Sequence, residues 1–579
     1  NNAIGTGVGD NDQTGTVAIG YDSLQDLTSG DGNTMVGYQS GRLMTSGGAN
    51  TALGYQALAL NLTGSYNVVI GKEAMIAADG AENNNIAIGA ASMGGVNNDS
   101  TENNVALGRN SMLGGTGTLA RNIAVGGYAM DGTGSIGGTD NVFLGSSAGG
   151  GSWATATSNY NIGIGTNVMD GALNGATYNI GIGYVTLTDL TEGDFNVAVG
   201  GGAGGDITTG SYNVLMGQGA GSTITTGSKN VAIGYQAGFA HQNTAWAVYI
   251  GYEAGHDVST GAQNVLIGGQ SGSKITDGER NIAIGSATLQ LTNPSSTVVI
   301  GDNAGVYANG DDSVYIGRLA GTGGTTSGSY STGSSNTAIG KSALAGFTTG
   351  SNNVAIGSSA GDAITDAIRT VSVGSLALTA NVSGQGDVAV GYFALGNATG
   401  GKNVGIGYLA GDTITTGIEN TVIGYDCDVA SGDNTNNVVI GNNLTATDKD
   451  NAVFIGNNTN HIENDFNADA TWNYSSDKRQ KKDIKDDTLG LDFINDLRPV
   501  TYKHKSPSEF PKEWSAYDAD DKEPMGGDKT IHGLIAQEVK QALDNQGVDT
   551  FGGWSVGDDG RQRISAEKMV MPLIKAVQE

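Results

Sequence analysis

A mainly β chain, with a long parallel β-solenoid followed by a small α/β (α+β) domain, is the fold class this sequence predicts, and three observations predict it. A short motif recurs with a nearly fixed period as far as Gly456. The composition, 97 glycines, 6 prolines and 6% aromatics in 579 residues, does not fit a string of ordinary hydrophobic cores. At Ser476-Asp477-Lys478-Arg479-Gln480-Lys481-Lys482 the glycine-rich pattern gives way to charge and helical periodicity. The boundaries read as a repeat shaft over 1–456, a neck over 457–475 and a separate domain over 476–579.

The repeat unit is Asn-(Val/Ile/Thr)-Ala-(Ile/Val/Leu)-Gly, as in Asn50 to Gly54, Asn104 to Gly108, Asn230 to Gly234 and Asn353 to Gly357. Its closing glycine returns at Gly183, Gly200, Gly217, Gly234, Gly251, Gly268 and Gly285, a step of 17; there are 27 such glycines from Gly5 to Gly456. A fixed period of this length is the mark of a stacked architecture. Two branched residues flank a small one, so they share one face of a strand and the alanine takes the other. The expectation is that stacked coils line up their Val/Ile residues as a continuous core, leaving a small-residue face of Ala and Gly outside. At about 4.8 Å per coil the shaft would be roughly 130 Å long. A frequent Tyr after the glycine, as at Tyr38, Tyr55 and Tyr235, and turns such as Thr225-Thr226-Gly227-Ser228 complete the unit.

Several function classes are excluded. Residues 1–475 hold 12 Lys/Arg against 37 Asp/Glu and 476–579 hold 16 against 20, which divides the net −29 as −25 and −4. No basic face exists to release counterions from phosphates, so nucleic acid is not a partner. No apolar run approaches a membrane span, and membrane insertion is not expected. The lone Cys427 forms no intrachain disulfide. Gly163-Ile164-Gly165 lacks the strand-loop-helix context of a dinucleotide site, and the Gly-Gly-x-Gly-x-Asp run of calcium-binding solenoids is absent from the coils, so neither cofactor nor metal is expected. The chain opens at Asn1 inside a repeat, and an N-terminal attachment region is expected before it.

The repeats resemble the head repeats of YadA-type trimeric adhesins, although that family's coils are usually shorter than 17 residues. The resemblance implies a β-roll packed three-fold, hence a homotrimer.

After Ser476, Leu489 to Leu497 reads as a helix with Leu491, Ile494 and Leu497 on its apolar face, ended by Pro499. Val500-Thr501-Tyr502 reads as a strand. Leu534 to Leu543 and Met569 to Val577 read as helices, the latter with Met569, Leu573, Ile574 and Val577 inward. His532 is expected to pack structurally, and Asp477 to cap or orient the loop.

Four ordered motifs, Ser476 to Lys481, Leu497-Arg498-Pro499-Val500-Thr501-Tyr502, Gly533 to Val539 and Pro572 to Glu579, resemble the intramolecular chaperone auto-processing domain of endosialidase-type tail spikes and fibres, also found in the myelin regulatory factor. Gln480 stands where that family usually has an aliphatic residue. The resemblance implies Ser476 as nucleophile on the carbonyl of Ser475 and Lys481 as general base, cutting between Ser475 and Ser476. This is at most a single-turnover autocatalytic endopeptidase; a serine needs such a base, and a lysine serves when burial or cationic neighbours lower its pKa.

The sequence is therefore read as a phage tail fibre: a trimeric shaft that binds a host-surface receptor, joined to other tail or baseplate proteins through the expected N-terminal part. Its C-terminal domain would chaperone folding and cleave itself off. The expected location is the virion tail, after synthesis in the host cytoplasm. The rivals are a bacterial trimeric adhesin, which needs a membrane anchor, and a glycan-cleaving tail spike, which needs paired carboxylates in a cleft.

Overall fold

Each repeat folds into one turn of a parallel solenoid, and the glycine that ends the motif shows why the period holds. Gly234 has φ +135, and a Cβ there would stand 2.3 Å from the carbonyl oxygen of Gly251 in the next coil. Both the backbone conformation and the closeness of the neighbouring turn require glycine. The same pairing of positive φ and a clash with the next coil recurs from Gly20 to Gly424.

The computed structural model describes residues 2–4, 14–324, 330–467, 477–512, 514, 517–524, 528–557 and 560–579. They fall into two compact units, Asn1–Tyr474 and Ser475–Glu579.

In the first unit, three-residue strands such as Val231–Ile233, Val354–Ile356 and Val388–Val390 stack into a 28-stranded sheet. Neighbours pair parallel and in register, Val354 to Val371, Ala355 to Ser372 and Ile356 to Val373. The last strand, His461–Asp465, runs antiparallel against Ala452–Gly456 and ends the sheet. Its position lies within the stretch expected as a neck.

Face assignment reverses the expectation. In Val354–Ile356 the central Ala355 is fully buried, whereas Ile356 is 37% exposed, and this pattern repeats along the sheet. The small residue points into the coil and the branched pair points out. The interior of a 17-residue turn is narrow and is filled by the central strand residue, such as Met35, together with Leu, Met, Ala and Ser from the other sides, such as Leu24, Leu27 and Met44. Where the central residue is large, glycine makes room: Cβ atoms at Gly238 and Gly255 would meet the Tyr249 ring at 2.5 and 2.7 Å, and at Gly321 the Tyr315 ring at 2.2 Å.

The motif's first residue builds a second, polar spine. The backbone N–H and Nδ2 of Asn213 both donate to Oδ1 of Asn196 at 3.0 Å, and Nδ2 also donates to the Gly227 carbonyl at 3.0 Å. Oδ1 of Asn213 in turn accepts from the Asn230 N–H at 3.0 Å. Every polar atom of a fully buried amide is thereby matched, which burial requires. Outside, aromatic residues stack coil on coil, Tyr21 on Tyr38 at 5.4 Å and Tyr38 on Tyr55 at 5.2 Å. A separate column runs through Tyr160, Tyr178, Phe195 and Tyr212 at 4.8 to 5.1 Å. The threonine-rich turns act in the same way, Thr191 and Thr208 donating to the carbonyls of Thr208 and Thr225.

One coil carries an anion in the asparagine position. Asp387 is fully buried; it accepts from Asn403 N–H at 2.7 Å and from Asn381 Nδ2 at 2.8 Å, and burial pushes its carboxyl up to about 6.

Two predictions test these determinants. Gly234→Ala should destabilise its coil by about 3 kcal/mol or more, the sum of a disallowed φ and an unrelieved clash, read as faster hydrogen exchange at the amides of 231–234 and 248–251. Unchanged protection there would contradict the stated role of the glycine.

For Asp387 the sign follows from its raised folded pKa. Between the ordinary value of 3.8 and about 6 the folded state keeps a proton that the unfolded chain has lost, so this residue lowers stability as pH rises, fully so above about 6. Asp387→Asn should therefore be the more stable protein above pH 6 by roughly 1–3 kcal/mol, with the advantage fading toward pH 4 in denaturant titrations. Burial pushes His241 down to about 4, an opposite dependence, but it is common to both proteins and cancels in the difference. A gain independent of pH would rule out the buried carboxylate as its source.

Candidate functional site

The second unit is built from α1 (Leu491–Asp496), α2 (Ala536–Asn545) and α3 (Val570–Gln578), with two short antiparallel pairs, Val500–Tyr502 with Ile531–Gly533 and Trp554–Val556 with Gln562–Ile564. The helices start and stop within a few residues of the expected limits, and the Val500–Tyr502 strand coincides with its reading. Leu489, Phe493, Val539, Ala542 and Leu543 form the buried core, and Phe551 meets Phe493 edge-on at 6.1 Å. Side-chain ties link the motifs. Arg498 pairs with Glu538, and Oε2 of Glu579 accepts from the Leu491 N–H at 2.6 Å, which joins α3 to the start of α1.

Two expected faces are corrected. In α1, Phe493 is the buried residue and Leu491 is exposed. In α3, Pro572 and Ala576 point inward, while Leu573, Ile574 and Val577 are exposed by 50, 45 and 80%. Of the residues expected to face inward, Ile494, Leu497 and Met569 do pack against the core, whereas Leu491, Leu573, Ile574 and Val577 are exposed. Ile494, Leu497, Leu534, Met569, Val570 and Leu573 line an open apolar groove of about 470 Å³. His532 lies on the rim of that groove and is exposed, contrary to the expectation that it packs.

The proposed nucleophile and scissile bond, Ser476 and Ser475, lie outside the described residues. The loop after them is ordered by Asp477, as expected. Its carboxylate caps the 3-10 turn Lys478–Gln480 by accepting from the Arg479 N–H at 2.8 Å, and it also binds the Arg479 guanidinium at 2.6 to 3.1 Å. These hydrogen bonds hold the Asp477 carboxyl below its usual range. Arg479 is thus neutralised locally, which leaves Lys478 and Lys482 as the cationic neighbours of Lys481. Lys481 follows the turn, its N–H donating to the Lys478 carbonyl at 3.1 Å, and it is exposed. The candidate base therefore sits five residues after Ser476 in sequence, at the end of a capped turn, with an exposed side chain.

Residues 476–548 match the Peptidase_S74 family model, described as chaperone of endosialidase. The match begins at the candidate nucleophile and takes in α1, the Val500–Tyr502 and Ile531–Gly533 pair and α2. No curated protein matches the chain.

Proposed function

Given a chain that joins a solenoid shaft to an endosialidase-type chaperone domain, as in a tail fibre, we propose that the C-terminal unit aligns three copies of the shaft and then cuts itself away at Ser475–Ser476. The observation that carries this reading is the placement of the chaperone match directly after a repeat array whose strands are nearly interchangeable. Val231-Ala232-Ile233, Val354-Ala355-Ile356 and Val388-Ala389-Val390 would accept one another's partners in another chain, so a slip by one coil keeps most contacts and traps a misaligned assembly. A domain that brings three chain ends level removes that ambiguity.

Trimer formation is supported by apolar surface on both units. The outward Val/Ile rows, including Ile339, Ile356, Val390, Ile406, Ile440 and Ile455 at 36 to 39% exposure, form a strip along the sheet, and soluble single chains rarely leave such strips open. The exposed apolar face of α3 and the groove beside it make the same demand on a unit of roughly 100 residues with a small core.

In the cleavage step, Ser476 Oγ attacks the Ser475 carbonyl as Lys481 Nζ takes its proton. The C–N bond breaks, the proton passes to the leaving amine, and an ester joins Ser475 to Oγ. Water then hydrolyses the ester, leaving a Ser475 carboxylate and a free Ser476 amine. A lysine acts as base when it is desolvated, and burial of the exposed Lys481 against partner chains would supply that environment and tie cutting to completed assembly. The freed rod would be kinetically stable because its chains can no longer be realigned once unfolded. We place the rod in a virion tail, facing a host surface with its stacked tyrosines outermost.

Two outcomes are expected. The assembled parent protein should yield a fragment starting at Ser476, whereas Ser476→Ala and Lys481→Ala should remain full-length trimers on heated and unheated gels; an uncut parent after complete folding would reduce the domain to a chaperone. Ile356→Lys, with its side chain outside the coil, should keep the coil's circular dichroism yet lower the sedimenting mass below three chains, and an unaffected trimer would remove the strip from the interface.

A further inference from the structure

Between Gly71 and Gly108 the coil step widens from 17 to 18 and then 19, and the added residues bring three carboxylates together. Asp79, Glu82 and Asp99 each offer an oxygen such that all lie within 4.8 Å of one another. Two oxygens on opposite sides of a calcium ion stand about 4.6–5.2 Å apart, so the cluster has the dimensions of a coordination shell. Among the described residues no lysine or arginine pairs with any of the three, and Asp99 and Asp79 both raise the Glu82 carboxyl, in addition to the larger effect of its burial.

Clustering alone is common on an acidic surface; the state of Glu82 is not. Glu82 is fully buried, and its Oε2 accepts from Gly80 N–H at 3.1 Å and Asn61 Nδ2 at 3.2 Å, while its Oε1 has no hydrogen-bond partner. Oδ1 of the fully buried Asn61 is likewise unpartnered. Buried acceptors without donors are costly, and here two such acceptors belong to side chains that are hydrogen-bonded to each other, an arrangement a cation would satisfy. The backbone accommodates the cluster: Asp99 Oδ1 accepts from Ala81 N–H at 3.1 Å and occupies the space where any side chain at Gly80 would begin, a Cβ there falling 1.5 Å from it.

We propose that Asp79, Glu82 and Asp99 bind a divalent cation of the Ca²⁺ class, with Glu82 Oε1 as the buried ligand and the Asn61 amide oxygen beside it. The ion would neutralise a carboxylate that the coil otherwise buries unpaired, and would lock the widened coils in register with their neighbours. Carboxylate and amide oxygens on a loop of variable spacing suit Ca²⁺ better than the strict octahedron of Mg²⁺.

The test is calorimetric titration of CaCl2 into the full-length protein after EDTA treatment and dialysis. The parent should bind one more ion per chain than Asp79→Asn/Asp99→Asn, or bind it at least tenfold more tightly. Those two side chains are exposed, and circular dichroism would show the fold retained. CaCl2 should also raise the thermal midpoint of the parent but not that of Glu82→Gln. An isotherm identical in parent and double variant, or an equal midpoint response in parent and Glu82→Gln, would overturn the proposal and leave Glu82 as a buried acid held only by its hydrogen bonds.

Discussion

Coil-to-coil register is the constraint on which this protein depends, and the buried asparagine column is the interaction that sets it. Where successive coils carry the asparagine, its amide is read by the coil before and the coil after, as Asn213 is by Asn196 and Asn230, so a coil can close only when its neighbour stands at the right height and rotation. The closing glycine permits the required approach, since nothing larger fits against the next carbonyl. Hydrophobic burial supplies driving force but little specificity here, because one Ala-lined interior is much like the next. Directional hydrogen bonds supply the specificity.

From that constraint follows the sidedness of the sheet. Once the small central residue is inside, both branched neighbours face out, and parallel pairing arranges them into rows that a single chain cannot cover. The C-terminal unit repeats the theme on helices, with Leu573, Ile574 and Val577 turned away from its own core. Both units expose apolar surface, and in the proposed trimer a second and third copy would bury it. An assembly domain attached to a register-degenerate array answers a physical problem that the array itself creates.

Much of this was legible in the sequence. A step of 17 ending on glycine fixed the number and spacing of strands, and each short helix and the Val500–Tyr502 strand fell where periodicity placed them. The orientation of the strands was not legible, because alternation in three residues separates two faces without saying which is inside; only the limited volume of a closed coil decides for alanine over valine. The role of the motif's asparagine was missed because that residue ordinarily signals a turn, and its function appears only when coils stack. The cluster of Asp79, Glu82 and Asp99 carries no recognisable spacing, since its members come from two successive coils. Lys481 was legible from its motif, but its exposed environment could be seen only in the fold.

The central claim is that the Val/Ile rows of three parallel chains face a common axis while the stacked tyrosines face solvent. Electron cryo-microscopy of the purified rod, averaged along its length, tests it directly. The expected map is three-fold in cross-section, with an axial repeat near 4.8 Å and the strand face of each coil turned to the centre. A rod one coil wide, or three coils meeting through the tyrosine side with the Val/Ile rows open to solvent, would contradict the account.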